Sequence, residues 1–310
     1  MPQATRDIKR RIKSVRNTHK VTKAMEMVAA AKMRKAVSNV VATRSYSNLA
    51  WELVKNLARR TDSKYHPLLE KRDKIKKIGM VLITSNRGLC GGFNNQIIDR
   101  VTQYVRQQKE EGGIESDLVI MGKKGREAML KKGHTIIAEF TKLDITNTIP
   151  EIRPLSNLII NDYLEGKYDQ VMIAYTDFIS TLVQKPRILE LLPIEKREED
   201  RYLGQAKTGK LETEKISEPK TPSIEFEYLF EPSADEVLGE LLPRLLEMQI
   251  YQVILESDAS EHSSRMVAMR NASDAAADMI DGLTLIFNKA RQASITAELA
   301  DISGGRIALE

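Results

Sequence analysis

The chain has 310 residues, 42% hydrophobic but 5% aromatic, with 29% charged residues, one tryptophan and one cysteine. That length allows two ordinary domains or one domain with a long extended element, and the composition favours helices rich in Ala, Leu and Met over sandwiches and barrels. A lone Cys90, apolar runs far below the 18 or so residues of a membrane helix, no apolar leader, and no metal-ligand spacing among His19, His66, His134 and His262 argue against a disulfide scaffold, a secreted or membrane-spanning protein and a zinc module.

The net charge of +5 is unevenly placed. Residues 1–35 carry 11 Lys/Arg against Asp7 and Glu26, a net of +9, whereas residues 233–310 carry 6 Lys/Arg against 13 Asp/Glu, a net of −7. The two ends are complementary, which a basic tail seeking nucleic acid would not require.

From Gln3 to His66 there is neither Gly nor Pro. Ile8, Ile12, Val15, Met25, Val28 and Ala29 recur at steps of three and four, which predicts one helix over residues 5–57. At 1.5 Å per residue it would be roughly 80 Å long, beyond what a compact domain of this size can bury. Continuing its heptad register places His19, Glu26 and Ser47 inward, so this seam is weakly apolar.

The period then changes. Strands are predicted over 77–84, 117–121, 135–140 and 170–175, with a longer extended piece over 180–192. Helices are predicted over 95–110, 125–132 and 151–165. Alternation of this kind implies a mostly parallel sheet covered on both faces. A polar stretch of mixed charge follows, with Gly204, Gly209, Pro219 and Pro222, and reads as an exposed linker.

Ser233-Ala-Asp-Glu236 has the form of a capping box. From Leu238 to Ala297 a 3/4 step passes through 18 positions, 14 of them apolar, with Gln252, His262, Ser273 and Ser294 as the exceptions. That repeat is the coiled-coil signature, and Pro243 is expected to kink its first turns. The predicted fold class is therefore α/β: a long antiparallel α-helical coiled coil of the N-terminal (1–66) and C-terminal (233–310) segments. An α/β, Rossmann-like domain is inserted at 75–195, followed by a polar linker at 196–232.

Candidate chemistry is sparse. Gly88-Leu-Cys-Gly-Gly-Phe-Asn94 follows a strand and could bring backbone N–H groups to a phosphate. It matches neither GxxxxGK[ST] nor GxGxxG, so a tight turn needing positive φ is the better account. Cys90 has no nearby His or acid and reads as a small buried hydrophobe. Lys9, Arg10, Arg11, Lys13, Arg16, Lys20 and Lys23 could track a nucleic-acid backbone, but no aromatic side chain interleaves them before Tyr46. No catalytic, cofactor or metal constellation emerges, and the chain does not read as an enzyme on its own. In the polar C-terminal helix end, Gln292 and Thr296 lie four apart on one face beside Arg291 and Glu298, suited to hydrogen-bonding a surrounding partner.

Three motifs converge on one resemblance. Arg16-Asn-Thr-His-Lys-Val-Thr-Lys-Ala-Met-Glu-Met-Val-Ala-Ala-Ala-Lys-Met-Arg-Lys35 resembles the N-terminal helix of the γ subunit of F-type ATP synthases. Residues 85–94 resemble its central loop, and residues 288–302, with Arg265-Met-Val-Ala-Met-Arg-Asn271 before them, its C-terminal signature. The resemblance spans nearly the whole chain. It implies a non-catalytic central stalk, or rotor shaft, that couples proton-driven rotation of a c-ring to ATP synthesis at three catalytic β subunits, reversibly with hydrolysis.

It further implies an α/β ring, an ε subunit and the c-ring as partners, no cofactor, no nucleic acid, and a peripheral place on the cytoplasmic face of a bacterial cell membrane. Met25 matches the position where the shaft meets β. Arg265, Arg291, Gln292, Thr296 and Glu298 match or neighbour positions of shaft–ring contact. With Cys90 alone, the two-cysteine switch of plant chloroplast relatives is absent, and the stretch 198–223 is longer than the family's usual connection.

Overall fold

Alternating strands and helices build most of the sheet. A computed structural model describes residues 3–60, 66–70, 72, 74–146, 148–194 and 234–307. The expected linker, the Ser233 cap and the Ser47 side chain lie outside the described residues. The chain forms two compact units, one of residues 31–264 and one of residues 1–30 with 265–310.

In the larger unit the order of elements is β1 (Lys77–Ile83), α2 (Phe93–Gly112), β2 (Glu115–Met121), α3 (Lys123–Lys131), β3 (Ile136–Phe140), α4 (Arg153–Leu164), β4 (Gln170–Phe178) and β5 (Gln184–Leu192). Helix α1 (Gln3–Arg60) precedes them and α5 (Ala234–Ile307) follows. The strands lie in the order β3-β2-β1-β4-β5, the first four parallel and β5 antiparallel to β4. The extended piece expected over 180–192 is therefore a turn followed by the second strand of a hairpin.

Side chains one apart point to opposite faces of a strand, and two cores result. Ile78, Met80 and Leu82 of β1, Leu118 and Ile120 of β2, and Met172 and Ala174 of β4 meet Ile97, Ile98, Val101 and Met129 of α2 and α3. Their neighbours Val81, Ile83, Val119, Met121, Val171, Ile173 and Tyr175 join the opposite core. There they meet Leu155 and Ile159 of α4, Ala36 and Val40 of α1, and a long stretch of α5 from Leu238 to Ala259. The two terminal helices thus take the place of a covering layer on one face of the sheet.

Within this unit the helices run antiparallel. Thr43 Oγ1 donates to Gln252 Oε1 at 2.7 Å. Asn39 donates to the Thr146 carbonyl, and the Thr146 amide donates to Asp258. Lys32 pairs with Asp144, whose carbonyl accepts from His262. Descending α1 from 43 to 32 therefore ascends α5 from 252 to 262.

Pro243 and Gly239 lie inside α5 without ending it. A proline ring presses on the carbonyl four residues back, which here belongs to Gly239, where no side chain crowds the backbone. In the smaller unit, Ile12 and Ala29 of α1 and Met269, Ser273 and Ala276 of α5 are buried. Val15, His19, Met25, Glu26, Ile280, Leu283, Phe287, Ala290 and Ser294 are half-buried, at the same three- and four-residue steps. Small residues at such a seam let backbones approach closely but contribute little apolar area.

Candidate functional site: a gripped helix and an exposed helical end

The connections that leave β1, β3 and β4 all emerge at the carboxyl edge of the parallel strands. In open α/β sheets this edge holds the ligand, in the crevice where the strand order reverses. Here helix α5 occupies it. Ser264 Oγ donates to the Cys90 carbonyl after β1, and Ser263 Oγ donates to the Thr181 carbonyl after β4, both at 2.7 Å. After β3, Lys142 places its ammonium 3.0 Å from Asp258 and in contact with Glu261, all three side chains nearly closed to solvent.

The glycine-rich loop after β1 is knotted by hydrogen bonds of its own. The Ser85 amide donates to Asn94 Oδ1 at 3.0 Å, and Asn94 Nδ2 donates to Ser85 Oγ at 2.7 Å and towards Cys90 Sγ at 3.2 Å. Leu89 and Gly91 take φ of 61° and 57° to close the turn. Cys90 is a buried thiol inside this knot. The turn the sequence predicts is present, and the chain itself fills what would be a phosphate crevice.

Electrostatics hold the β3–α4 connection in place. Burial opposes the charge on Lys142, yet the carboxylates of Glu261 and Asp258 outweigh it and raise its pKa above the ordinary lysine value. Burial is the largest influence on Asp258 and raises its carboxyl, with Lys142 and the Thr146 amide pulling the other way. The Lys142 ammonium also sits 5.8 Å from the centre of the Phe93 ring. Nearer the surface, the hydrogen bond from Lys32 holds the Asp144 carboxyl below its usual range.

Lys142, Asp258 and Glu261 carry no signal at sequence level, because Asp258 and Glu261 fall off the apolar stripe of α5 and read as a solvated face. The one clue is the run Glu256-Ser-Asp-Ala-Ser-Glu-His-Ser263, whose small residues suit a helix enclosed on every side.

In the smaller unit, Met25 and Arg265 are half-buried, while Arg291, Gln292, Thr296 and Glu298 are exposed. Gln292 and Thr296 do come together: the Thr296 hydroxyl donates to the Gln292 carbonyl at 3.0 Å, leaving the Gln292 amide to the outside. Ser294 Oγ donates to Glu298 at 3.3 Å, and Glu26 pairs with Lys23 at 2.9 Å. Apolar residues outside the predicted stripes were missed: Leu285 is 73% exposed, and Ile286, Ile295 and Leu299 on α5, with Val21 and Met27 on α1, are also uncovered. Val28, read as part of the apolar stripe of α1, is exposed as well, while its neighbour Ala29 takes the buried position. Exposed apolar side chains on both helices are candidates for contact with a partner.

Comparison with known proteins agrees with these features. A profile of the family described as "ATP synthase" matches residues 4–309. "ATP synthase gamma chain" of Chloroflexus aurantiacus is 41% identical over 308 residues, 99% of both chains. That of Pelotomaculum thermopropionicum is 42% identical over 305 residues, 98% of this chain and 99% of the other. Among solved structures, a chain of the Euglena gracilis mitochondrial ATP synthase OSCP/F1/c-ring assembly has a TM-score of 0.65 at 20% identity, covering 99% of this chain and 94% of that one. A chain of the Tetrahymena thermophila mitochondrial ATP synthase central stalk/c-ring structure has a TM-score of 0.60 at 23% identity, covering 82% and 99%.

Proposed function

The chain belongs to the gamma chain family of ATP synthases, and we propose on that premise that it is the central stalk of an F-type enzyme. It is a non-catalytic subunit. Its terminal helices stand within a ring of α and catalytic β subunits, and its α/β domain faces the ε subunit and the c-ring. No helix among the described residues is long and apolar enough to cross a membrane. The complex is held at the cytoplasmic face of a bacterial cell membrane through its partners.

One observation carries this reading. A full-length relationship of about 40% identity to gamma chains coincides with a helical end whose apolar side chains, Leu285, Ile286, Ile295 and Leu299, are exposed among the described residues. An isolated coiled coil keeps such residues in its seam, whereas a shaft inside a sleeve presents them outward. Because the two helices differ in sequence, each orientation of the shaft offers different contacts to the three catalytic sites. A difference in contact free energy between states is what couples rotation to nucleotide binding and release, and such coupling runs in both directions. Met25, Arg265, Arg291, Gln292, Thr296 and Glu298 are proposed to make these contacts.

The test is native purification of the chain from nuclease-treated membranes, with subunit identification and an ATPase assay. Recovery in a large ATPase with α and β subunits is the expected result. Recovery alone, or with nucleic acid, overturns the proposal.

A further inference from the structure

A shaft transmits torque only if the domain that receives it does not slip on the helices. We infer that the first half of the β3–α4 connection, residues 141–146, is a torque clamp on the helix pair, and that Lys142 is its positioning residue. This inference rests on the central-stalk reading.

Three observations lead to it. The connection touches both helices: Lys142 reaches Asp258 and Glu261, the Thr146 amide reaches Asp258 at 2.9 Å, and the Asp144 carbonyl accepts from His262 at 2.7 Å. On α1, Lys32 Nζ meets Asp144 at 2.7 Å, and Asn39 donates to the Thr146 carbonyl. The connection is also anchored to the loop after β1 and, through it, to the start of α3, since Asn86 Nδ2 donates to the Lys142 carbonyl at 2.6 Å and Asn86 Oδ1 accepts from the Lys123 amide at 3.2 Å. Finally, Glu261 and His262 follow Asp258 at steps of three and four on α5, which puts all three on the side facing the connection.

Apolar packing is non-directional. The leucines and isoleucines of α5 resist separation from the sheet, but a small rotation about the helix axis changes their buried area little. Hydrogen bonds and ion pairs depend on distance and angle. Turning α5 by one residue, about 100°, carries Asp258 and Glu261 away from Lys142 and leaves buried charge unpaired. The buried cluster therefore adds a directional restraint on the angle of the helix to the non-directional packing of the apolar core.

The experiment uses the whole complex in membrane vesicles, measuring ATP hydrolysis and ATP-driven proton uptake on the same preparation. Lys142→Met alone removes the cation beside two buried carboxylates and endangers folding. The informative variant is Lys142→Met with Asp258→Asn and Glu261→Gln, which keeps side-chain shape and removes the charges together. The expected result is assembly at the normal subunit ratio, hydrolysis within about twofold of the parent, and protons moved per ATP reduced by about fivefold or more.

A parental proton-to-ATP ratio in this variant overturns the inference, as does a proportional fall in both activities, which a merely structural role would give. Failure of the parent chain to purify with α and β subunits defeats the central-stalk reading instead, and appears before any variant is made.

Discussion

Lys142 Nζ lies 3.0 Å from Asp258 Oδ1, with the two side chains 2% and 0% exposed, which makes this an ion pair sealed between the sheet domain and the long C-terminal helix. Glu261 closes the cluster from the next turn of the helix. Removing one partner of a buried pair costs more than removing all of them, because the remaining charge has no water to turn to. Lys142→Ala is expected to destabilise the chain by about 3–5 kcal/mol in urea unfolding. Adding Asp258→Asn and Glu261→Gln should recover much of that loss.

Alkaline stability should follow the same cluster and two tyrosines. Lys142 titrates above its ordinary 10.5, with burial opposing its charge and Glu261 and Asp258 outweighing burial. Burial pushes Tyr163 and Tyr168 up from 10.0 to about 12. All three folded values are raised, so their stabilisation is complete below the unfolded values and is lost as pH rises through the folded ones. Unfolding free energy measured against pH is therefore expected to fall from about pH 10 upward. Tyr163→Phe should make that fall shallower, and a fall of unchanged steepness contradicts the assignment.

Gly122 sits between β2 and α3 at φ 108°, where an added Cβ would lie 2.3 Å from the Thr84 carbonyl oxygen. Backbone strain and overlap both count against a side chain there. Gly122→Ala should cost about 3 kcal/mol or more by thermal unfolding, whereas Gly133→Ala, with φ 76° but open space around it, should cost about 1 kcal/mol.

Leu285 is exposed in the isolated chain, so Leu285→Ser should leave its stability within about 0.5 kcal/mol. In the assembled enzyme a leucine buried against the ring contributes about 2 kcal/mol. Competition between parent and variant chains for α and β subunits is expected to favour the parent, and equal incorporation removes Leu285 from the interface.

Gln292→Ala with Thr296→Ala deletes one exposed side chain-to-backbone hydrogen bond, with an expected folding cost of about 0.5 kcal/mol or less. Reconstituted with its partners, this variant should lose torque and proton-coupled synthesis while the isolated chain melts as the parent does. Unchanged synthesis and torque exclude both residues from the proposed contact.

The sequence by itself determined the elements. A 3/4 repeat writes α5 from Leu238 to Ala297 into the chain because every turn of a helix must present the same face, and the short apolar run over 77–84 writes a strand buried on both faces because successive side chains point oppositely. The glycine-rich turn and the buried Cys90 were legible for the same local reason, and so was the motif likeness that pointed to the family. Only the tertiary structure decided what fills the carboxyl edge of the sheet and which charges are inside. Lys142 and Glu261 are 119 positions apart, and neither stands in a periodic pattern that marks it as buried. Their pairing depends on α5 lying against the ends of β1, β3 and β4, a long-range arrangement set by the packing of the whole unit. Local periodicity reports which face of a segment is apolar, but it carries no information about which distant polar groups that packing will enclose together.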